Sequence, residues 1–151
     1  MAAVHRLATL DDAAALFDLR RRSILELAAR GLPPGEAEAW VAKHTLARMK
    51  RKLREFEIWV AELSGGLAGW GAIGGDYLEG LYTAPEFAGR GVASHMLVRL
   101  EELMRERGVA AVRADASSNA RDFYLRRGFR LTGPQAPAGT WPIEKRLQIT
   151  G

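Results

Sequence analysis

The chain of 151 residues contains no cysteine, which excludes a disulfide, a thiolate nucleophile and a cysteine-ligated zinc site. Its three histidines, His5, His44 and His95, lie far apart without the spacing of metal ligands, so we expect no metal site. The sequence also lacks an apolar run long enough to span a membrane and the hydrophobic stretch of a signal peptide. We therefore expect a cytoplasmic protein with no membrane partner.

The positive charge of the chain is modest, with a formal net charge of +4. This excess suits an acidic small ligand, but the densest basic run, Arg48 to Arg54, does not predict a nucleic-acid surface. Met49 and Leu53 lie four residues apart in that run, as on the buried side of a helix, and no aromatic residue is interleaved to stack on bases. We expect no nucleic-acid partner.

Hydrophobic and charged residues make up 48% and 26% of the chain, and its length fits one domain spanning residues 1–151. Apolar spacing, glycine turns and helix caps predict helices over residues 9–29, 36–54 and 92–107 and a short helix after residue 119. They predict strands over residues 4–8, 58–63, 67–73, 77–83, 110–114, 129–132 and 141–149. A crossover helix precedes the strand at 110–114, so this strand should run parallel to the one at 77–83. The predicted fold class is α/β of the α+β type, with a mixed, mostly antiparallel sheet and helices on both faces.

The segment from Pro85 to Ser94 joins the strand at 77–83 to the helix that begins at Val92. Gly89 and Gly91 permit positive φ and a close approach of the backbone to a ligand. A glycine turn that opens a helix directs several backbone N–H groups and the positive end of the helix dipole at one point. The segment therefore predicts a phosphate-bearing ligand near residues 89–94.

Two nucleotide-binding patterns compete for this segment. No lysine follows the glycines, which excludes the P-loop of nucleotide triphosphatases. Gly89, Gly91 and Ser94 approach the dinucleotide-binding pattern, and Asp115 ends the next strand where a ribose-binding acid would lie. However, several residues separate the preceding strand from the glycines, and one crossover unit does not build a doubly wound sheet. Dinucleotide binding is therefore the weaker alternative.

Two segments resemble the motifs of the GNAT superfamily of acyl-CoA-dependent N-acetyltransferases. Leu81-Tyr-Thr-Ala-Pro-Glu-Phe-Ala-Gly-Arg-Gly-Val-Ala-Ser-His-Met-Leu97 is similar to its acyl-CoA-binding motif, and Ala116-Ser-Ser-Asn-Ala-Arg-Asp-Phe-Tyr-Leu-Arg-Arg-Gly-Phe129 is similar to its second motif. The order of predicted elements also matches the superfamily. The resemblance implies the GNAT-like acyl-CoA N-acyltransferase fold, acetyl-CoA (coenzyme A) as the acyl donor, and direct transfer to a primary amine of a small molecule or peptide. A homodimer is common among such proteins.

The resemblance also implies which residues bind acetyl-CoA. The turn and the first helical residues would bind the pyrophosphate: Gly89, Arg90, Gly91, Val92, Ala93 and Ser94. The preceding strand, at Leu81, Tyr82 and Thr83, would bind the pantetheine arm through the amides of Leu81 and Thr83, and Asn119 would contact this arm, cap its own helix, or do both. Gly80 interrupts this strand, which is typical of a bulge or of a ligand that approaches closely. Ala88 departs from the family pattern, which has Gln or Arg at this position.

Acetyl transfer to an amine needs a base for the amine proton and an acid for the departing thiolate. Tyr124 matches the general acid of the family. One of two adjacent helical residues usually faces out of the core, and we assign that orientation to Tyr124 and not to Phe123. Glu79, on the strand that flanks the thioester, is the candidate base, and Asp76 is the alternative.

The acceptor pocket of the family corresponds here to residues 20–45 and 132–142, where Trp40 and Trp141 lie. Core packing is the competing role for both tryptophans. The sequence does not identify the acceptor. A non-catalytic module that binds acyl-CoA on the same fold is the alternative to an enzyme.

Overall fold

A computed structural model of the protein describes residues 3–148. The helices in this range are α1 (Ala13–Glu26), α2 (Glu36–Ala42), α3 (Leu46–Glu55), α4 (Val92–Glu106) and α5 (Arg121–Leu125). The strands are β1 (Val4–Leu7), β2 (Glu57–Leu63), β3 (Gly66–Gly74), β4 (Tyr77–Thr83), β5 (Ala111–Ala116), β6 (Arg130–Leu131) and β7 (Trp141–Arg146). None of the helices in the described range is both long and apolar enough to cross a membrane.

The strands form one seven-stranded sheet in the order β1-β2-β3-β4-β5-β7-β6. Every neighbouring pair is antiparallel except β4 and β5, which are parallel. The connection between these two strands passes through α4, as expected for a crossover. The predicted mixed, mostly antiparallel sheet is therefore confirmed, and so is the parallel pairing of the strand after α4.

Helices cover both faces of the sheet, each over its own apolar core. The core under α4 includes Leu78, Met96, Leu100, Met104, Val112 and Ile143. The core under α1 and α3 includes Leu16, Leu19, Met49, Val60 and Trp70. Glycines in β3 let α4 lie close to the sheet, because a Cβ atom at Gly71 would be 2.8 Å from Leu100 Cδ1. This packing fixes the N-terminus of α4 beside the end of β4.

The continuous helix predicted over residues 36–54 is wrong, because the chain forms α2 and α3 with a break between them. Thr45 has an extended backbone, and its side chain accepts a hydrogen bond from the N–H of Arg48 at 3.1 Å. It is therefore the N-cap of a new helix. His44, just before this cap, is buried and stacks on Phe17 with 5.9 Å between ring centroids.

The remaining predicted boundaries differ from the structure by a few residues. The first helix was expected to reach Ala29, but α1 ends at Glu26 and a 3₁₀ turn follows over Ala28–Gly31. The last strand was expected to reach Ile149; β7 ends at Arg146, and Ile149 lies outside the described residues. At the other end, the helix predicted from residue 9 begins with a cap, in which the Thr9 N–H donates to the Asp12 carboxylate at 2.7 Å.

The ladder between β4 and β5 is short. It contains the pairs Tyr77–Arg113 and Leu78–Ala114. On the other edge of β4, Ala72 pairs with Gly80 while Ile73 pairs with Leu78, so Glu79 is an extra residue in β4 and forms a bulge. The bulge expected at Gly80 is thus confirmed, one residue away. Beyond it the two strands separate and leave a gap between them.

Candidate active site

The glycine turn before α4 has the geometry of an anion-binding site. Gly89 and Gly91 have φ of +78° and +77°, which glycine adopts at little cost. Gly91 is the N-cap, and its carbonyl accepts the first helical hydrogen bond, from the His95 N–H at 3.0 Å. Within residues 3–148, no backbone N–H from Gly89 to Ser94 donates a hydrogen bond. These amides are therefore free to bind an anion at the positive end of the α4 dipole.

A second cation at this turn was not predicted. The Arg127 guanidinium donates to Ser94 Oγ from Nη2 at 2.7 Å and from Nε at 3.2 Å. It also covers the ring of Phe123, with Cζ 3.8 Å from the ring centroid. Arg127 lies on the loop after α5, so only the tertiary fold brings it to the first turn of α4. It supplies positive charge beside Ser94, in the first turn of α4.

The free edge of β4 faces the gap between β4 and β5. Ala84 donates its N–H to Ala68 at the end of β3, at 2.8 Å. Because alternate residues of a strand direct their N–H groups to opposite edges, the amides of Leu81 and Thr83 point away from β3 and into the gap. The Tyr82 amide points towards β3, and the Tyr82 side chain lines the gap. The two amides expected to bind pantetheine are thus available for hydrogen bonding.

Tyr124 lies at the far side of the same gap, on α5. The orientation assigned to it was wrong, because Tyr124 is only 7% exposed and is the more buried of the two adjacent aromatics. Its ring packs edge-on against both Phe123 and Phe129, with 5.2 Å between centroids in each case. Tyr124 nevertheless lines the gap. Burial raises the pKa of Tyr124, and Tyr82, Glu79 and Tyr77 raise it further, so the phenol stays protonated at neutral pH.

Glu79, the bulged residue of β4, also lines this gap. Its Oε1 forms a salt bridge with Lys52 Nζ of α3 at 2.6 Å, and the two side chains are 16% and 13% exposed. Its Oε2 is buried and has no hydrogen-bond partner among the described residues. One carboxylate oxygen is therefore fixed by a cation, while the other keeps an unused acceptor. Lys52 belongs to the basic run from Arg48 to Arg54, and the sequence did not predict it as a site residue.

Two candidate residues lie elsewhere. Asp76 lies at the opposite end of β4, in an exposed pair with Arg113 at 2.9 and 3.0 Å, and this pairing lowers the pKa of Asp76. It is too far along the strand to share the gap with Tyr124. Asn119 is exposed and accepts a hydrogen bond from Ser117 Oγ at 2.6 Å. The expected capping role of Asn119 is wrong, since Ala120 is the N-cap of α5 and no side chain caps it.

The gap widens into a cavity of about 400 Å³. One wall is formed by α1 and α2, with Arg20 and Trp40, and another by the loop before β7, with Gly139 and Thr140. Both regions expected to form the acceptor pocket therefore contribute to it. Trp141 lies outside the cavity, where its Nε1 donates to Ser118 Oγ at 3.3 Å. No group of three or more His, Asp or Glu side chains that could hold a metal ion occurs between residues 3 and 148.

Sequence comparison finds acetyltransferases. A family model for the acetyltransferase (GNAT) domain matches residues 27–139. The uncharacterized N-acetyltransferase YafP of Escherichia coli (strain K12) is 32% identical to this chain over 114 residues, which cover 76% of this chain and 72% of that protein.

Structural comparison leads to the same group of proteins. The GCN5-related N-acetyltransferase (Aminotransferase, Class-II) from Rhodopseudomonas palustris has a TM-score of 0.88 and 26% identity, with 97% of both chains covered. PaiA N-acetyltransferase from Thermoplasma acidophilum, solved in complex with coenzyme A, has a TM-score of 0.80 and 19% identity, over 97% of this chain and 99% of that chain. At 19% identity, the similarity to the PaiA structure shows a shared fold.

Proposed function

This chain belongs to the GNAT family of acetyltransferases, and on that premise we propose which of its residues transfer an acetyl group from acetyl-CoA to an amine. It is an acetyl-CoA-dependent N-acetyltransferase whose acceptor is not identified. One observation carries the assignment of residues: Leu81, with its free amide, Tyr124 and Glu79 line one cavity. The free amides at the start of α4 lie near the end of β4, where Val92 and Thr83 both approach Gly69.

Binding of acetyl-CoA uses backbone groups first. The amides from Gly89 to Ser94 bind the pyrophosphate, and Arg127 adds a charged donor beside Ser94. The amides of Leu81 and Thr83 bind the pantetheine arm as a partner strand would. One of these amides also donates to the thioester carbonyl and stabilises the oxyanion that forms there.

Transfer is then direct, from acetyl-CoA to the amine, without a covalent enzyme intermediate. The amine nitrogen attacks the thioester carbon, a C–N bond forms, and the C–S bond breaks as the tetrahedral intermediate collapses. Glu79 takes the proton that the amine loses, through its unpartnered Oε2. Tyr124 donates its proton to the departing sulfur, which leaves as the thiol of CoA.

Replacement of Tyr124 by Phe tests this assignment against the non-catalytic alternative. We expect kcat for thiol release from acetyl-CoA, in the presence of a panel of primary amines, to fall on the order of 10²- to 10⁴-fold. The affinity for acetyl-CoA should stay the same, because binding uses backbone amides. Tyr77→Phe is the matched control, since its hydroxyl bonds Asp115 at 2.8 Å and Tyr77 is not among the residues that line the cavity. Unchanged turnover in the Tyr124 variant contradicts its role as the acid.

A thermal-shift comparison tests the ligand itself. Acetyl-CoA or CoA at about 100 times its Kd should stabilise the protein by about 2.7 kcal/mol, which is roughly 5–10 °C for a domain of this size. NADH at the same concentration should give no shift. A shift with NADH alone would support the dinucleotide alternative, and binding of acetyl-CoA without turnover of any amine would support a non-catalytic module.

Four further expectations from the sequence stay predictions, and each has a direct measurement. A homodimer would be seen by analytical ultracentrifugation, and a cytoplasmic location by fractionation of cells that produce the protein. A single domain over residues 1–151 predicts one unfolding transition in urea. Nucleic acid should not bind at physiological salt, which a gel-shift assay can measure.

A further inference from the structure

Arg20 is a buried cation in the wall of the candidate active-site cavity. It lies on α1, is 6% exposed and lines the cavity. Arginine is almost never fully buried without an acidic partner. Among the described residues, however, its one hydrogen bond runs from Nε to the Tyr82 hydroxyl oxygen at 3.3 Å, and no carboxylate forms a salt bridge with it. A buried positive charge therefore faces the cavity without a counter-ion.

Two aromatic rings hold this guanidinium in place. Its Cζ lies 5.5 Å from the ring centroid of Tyr82 and 5.8 Å from that of Trp40. Contact with aromatic rings leaves the in-plane N–H groups of a guanidinium free. Neither Nη atom of Arg20 bonds to another residue in the range 3–148. The free N–H groups form a rigid fork whose geometry matches a carboxylate.

Cations outnumber carboxylates among the residues that line the cavity. Lys43, Arg48 and Lys52 line it with Arg20, against Glu36, Glu79 and Asp115, and Glu79 is paired with Lys52. The pKa of His44 is lowered to about 3, first by burial and then by Arg20, Lys52 and Arg48. His44 is therefore neutral at pH 7 and adds no charge of its own. An anion in this part of the cavity is stabilised by several cations.

Arg20 also lies close to the proposed chemistry. Its partner Tyr82 has its ring against Gly80, where a Cβ atom would be 2.8 Å from Tyr82 Cε2. Gly80 directly follows Glu79, the candidate base. The cavity of about 400 Å³ has to hold both the thioester end of acetyl-CoA and the acceptor. An acceptor that reaches both Arg20 and the thioester is therefore compact.

We propose that the acceptor is a small amine that also carries a carboxylate, and that Arg20 binds this carboxylate. The inference rests on the proposed function, because it concerns the second substrate of the same site. Arg20 is a specificity-determining residue in this proposal. Its guanidinium binds the carboxylate of the acceptor and so orients the amine of the same molecule towards the thioester.

Matched pairs of amines test the proposal. Each pair consists of an amino acid and the amine that lacks its carboxylate, such as glycine with methylamine or phenylalanine with 2-phenylethylamine. Thiol release from acetyl-CoA gives kcat/KM for both members. We expect the carboxylate-bearing member of the preferred pair to be better on the order of 30-fold or more, and Arg20→Met to remove most of this ratio. Arg20→Lys should keep part of it.

Controls separate specificity from folding. Arg21, the next residue on α1, is exposed and pairs loosely with Asp18 at 3.7 Å, so Arg21→Met should leave the ratio unchanged. Arg20→Met should keep the thermal shift with CoA, and its melting temperature should not fall, because it removes a buried charge that has no partner. A large fall in melting temperature would indicate a structural role and contradict the proposal.

The remaining outcomes are decisive in different ways. Equal or better use of the amines without a carboxylate contradicts the inference, and so does an unchanged ratio in Arg20→Met. A preference for O-phosphoethanolamine over ethanolamine with no preference among the amino-acid pairs would assign the anion as a phosphate and overturn the carboxylate. CoA binding without acetylation of any carboxylate-bearing amine overturns this inference alone, whereas no shift with CoA and no thiol release overturn the proposed function as well.

Discussion

Removal of Lys52 should destabilise the protein far more than removal of an ordinary surface lysine. Its Nζ is 2.6 Å from Glu79 Oε1, the two side chains are 13% and 16% exposed, and Glu79 Oε2 already lacks a partner among the described residues. Lys52→Met would leave a largely buried carboxylate with no cation beside it. The variant therefore tests whether this pair holds the bulge of β4 in place.

The size of the effect follows from the burial of the pair. Breaking a buried ion pair by removing one partner costs about 3–5 kcal/mol. Since both side chains keep some exposure, we expect the lower end, about 3 kcal/mol. For a domain of this length, this corresponds to a fall in melting temperature of roughly 6–12 °C. The double variant Lys52→Met with Glu79→Gln should recover much of the loss, because it also removes the charge that was left alone.

Urea denaturation at pH 7 measures these free energies, with thermal unfolding as a second reading. The matched control is Arg21→Met, which breaks an exposed pair whose side chains are 48% and 52% exposed. It should cost less than about 1 kcal/mol. If Lys52→Met also costs less than about 1 kcal/mol, the carboxylate of Glu79 is solvated in the protein, and the reasoning from burial is refuted.

Three further predictions follow from the same structure. Burial raises the pKa of Tyr124 above its ordinary value of about 10, so the pH profile of kcat should show no fall below pH 10, and a fall centred near pH 8 would contradict its role. The pKa of His44 is lowered to about 3, chiefly by burial, so the unfolded state binds a proton below pH 6.5 that the folded state does not. Urea unfolding should then show a stability loss of up to about 1.4 kcal/mol per pH unit between pH 6.5 and 3, and His44→Leu should lose less over this range. Gly91→Ala and Gly108→Ala both place alanine at positive φ and should each cost about 1–2 kcal/mol, but only the variant at position 91 should weaken CoA binding in a titration.

The parts of the fold that the sequence predicted depend on local patterns. Met96, Leu100 and Met104 repeat at helical spacing and are all buried under α4. Gly89 and Gly91 mark the start of this helix, and both have the positive φ that makes glycine necessary there. Such features depend on neighbours in the chain, so one sequence is enough to find them.

The break between α2 and α3 shows where local patterns fail. Good helix formers continue through residues 36–54, and Met49 and Leu53 have the spacing of a continuous helix. Thr45 was available as a cap signal, but a threonine inside an apolar pattern does not by itself end a helix. Burial of His44 against Phe17 of α1 favours the break, and this contact exists only in the folded protein.

The site residues that were missed are all cations brought in by tertiary structure. Arg20, Lys52 and Arg127 come from α1, α3 and the loop after α5, and each has the sequence context of a solvated charge. Burial of Tyr124 was misjudged for a similar reason, because α5 is a single short turn packed between Phe129 and the cavity. A charge or a ring on a short helix takes its surroundings from other elements, which the local pattern does not record.

The ladder between β4 and β5 contains two residue pairs, so backbone hydrogen bonding holds the sheet together least strongly between these two strands. Four strands lie on the β4 side of this ladder and three on the β5 side. A pantetheine arm that bonds the free edge of β4 takes the place of the absent interstrand hydrogen bonds and connects the two parts of the sheet. Bound acetyl-CoA or CoA should therefore stabilise the sheet at this point, and amide hydrogen exchange at Leu81 and Thr83 should slow most when CoA is bound.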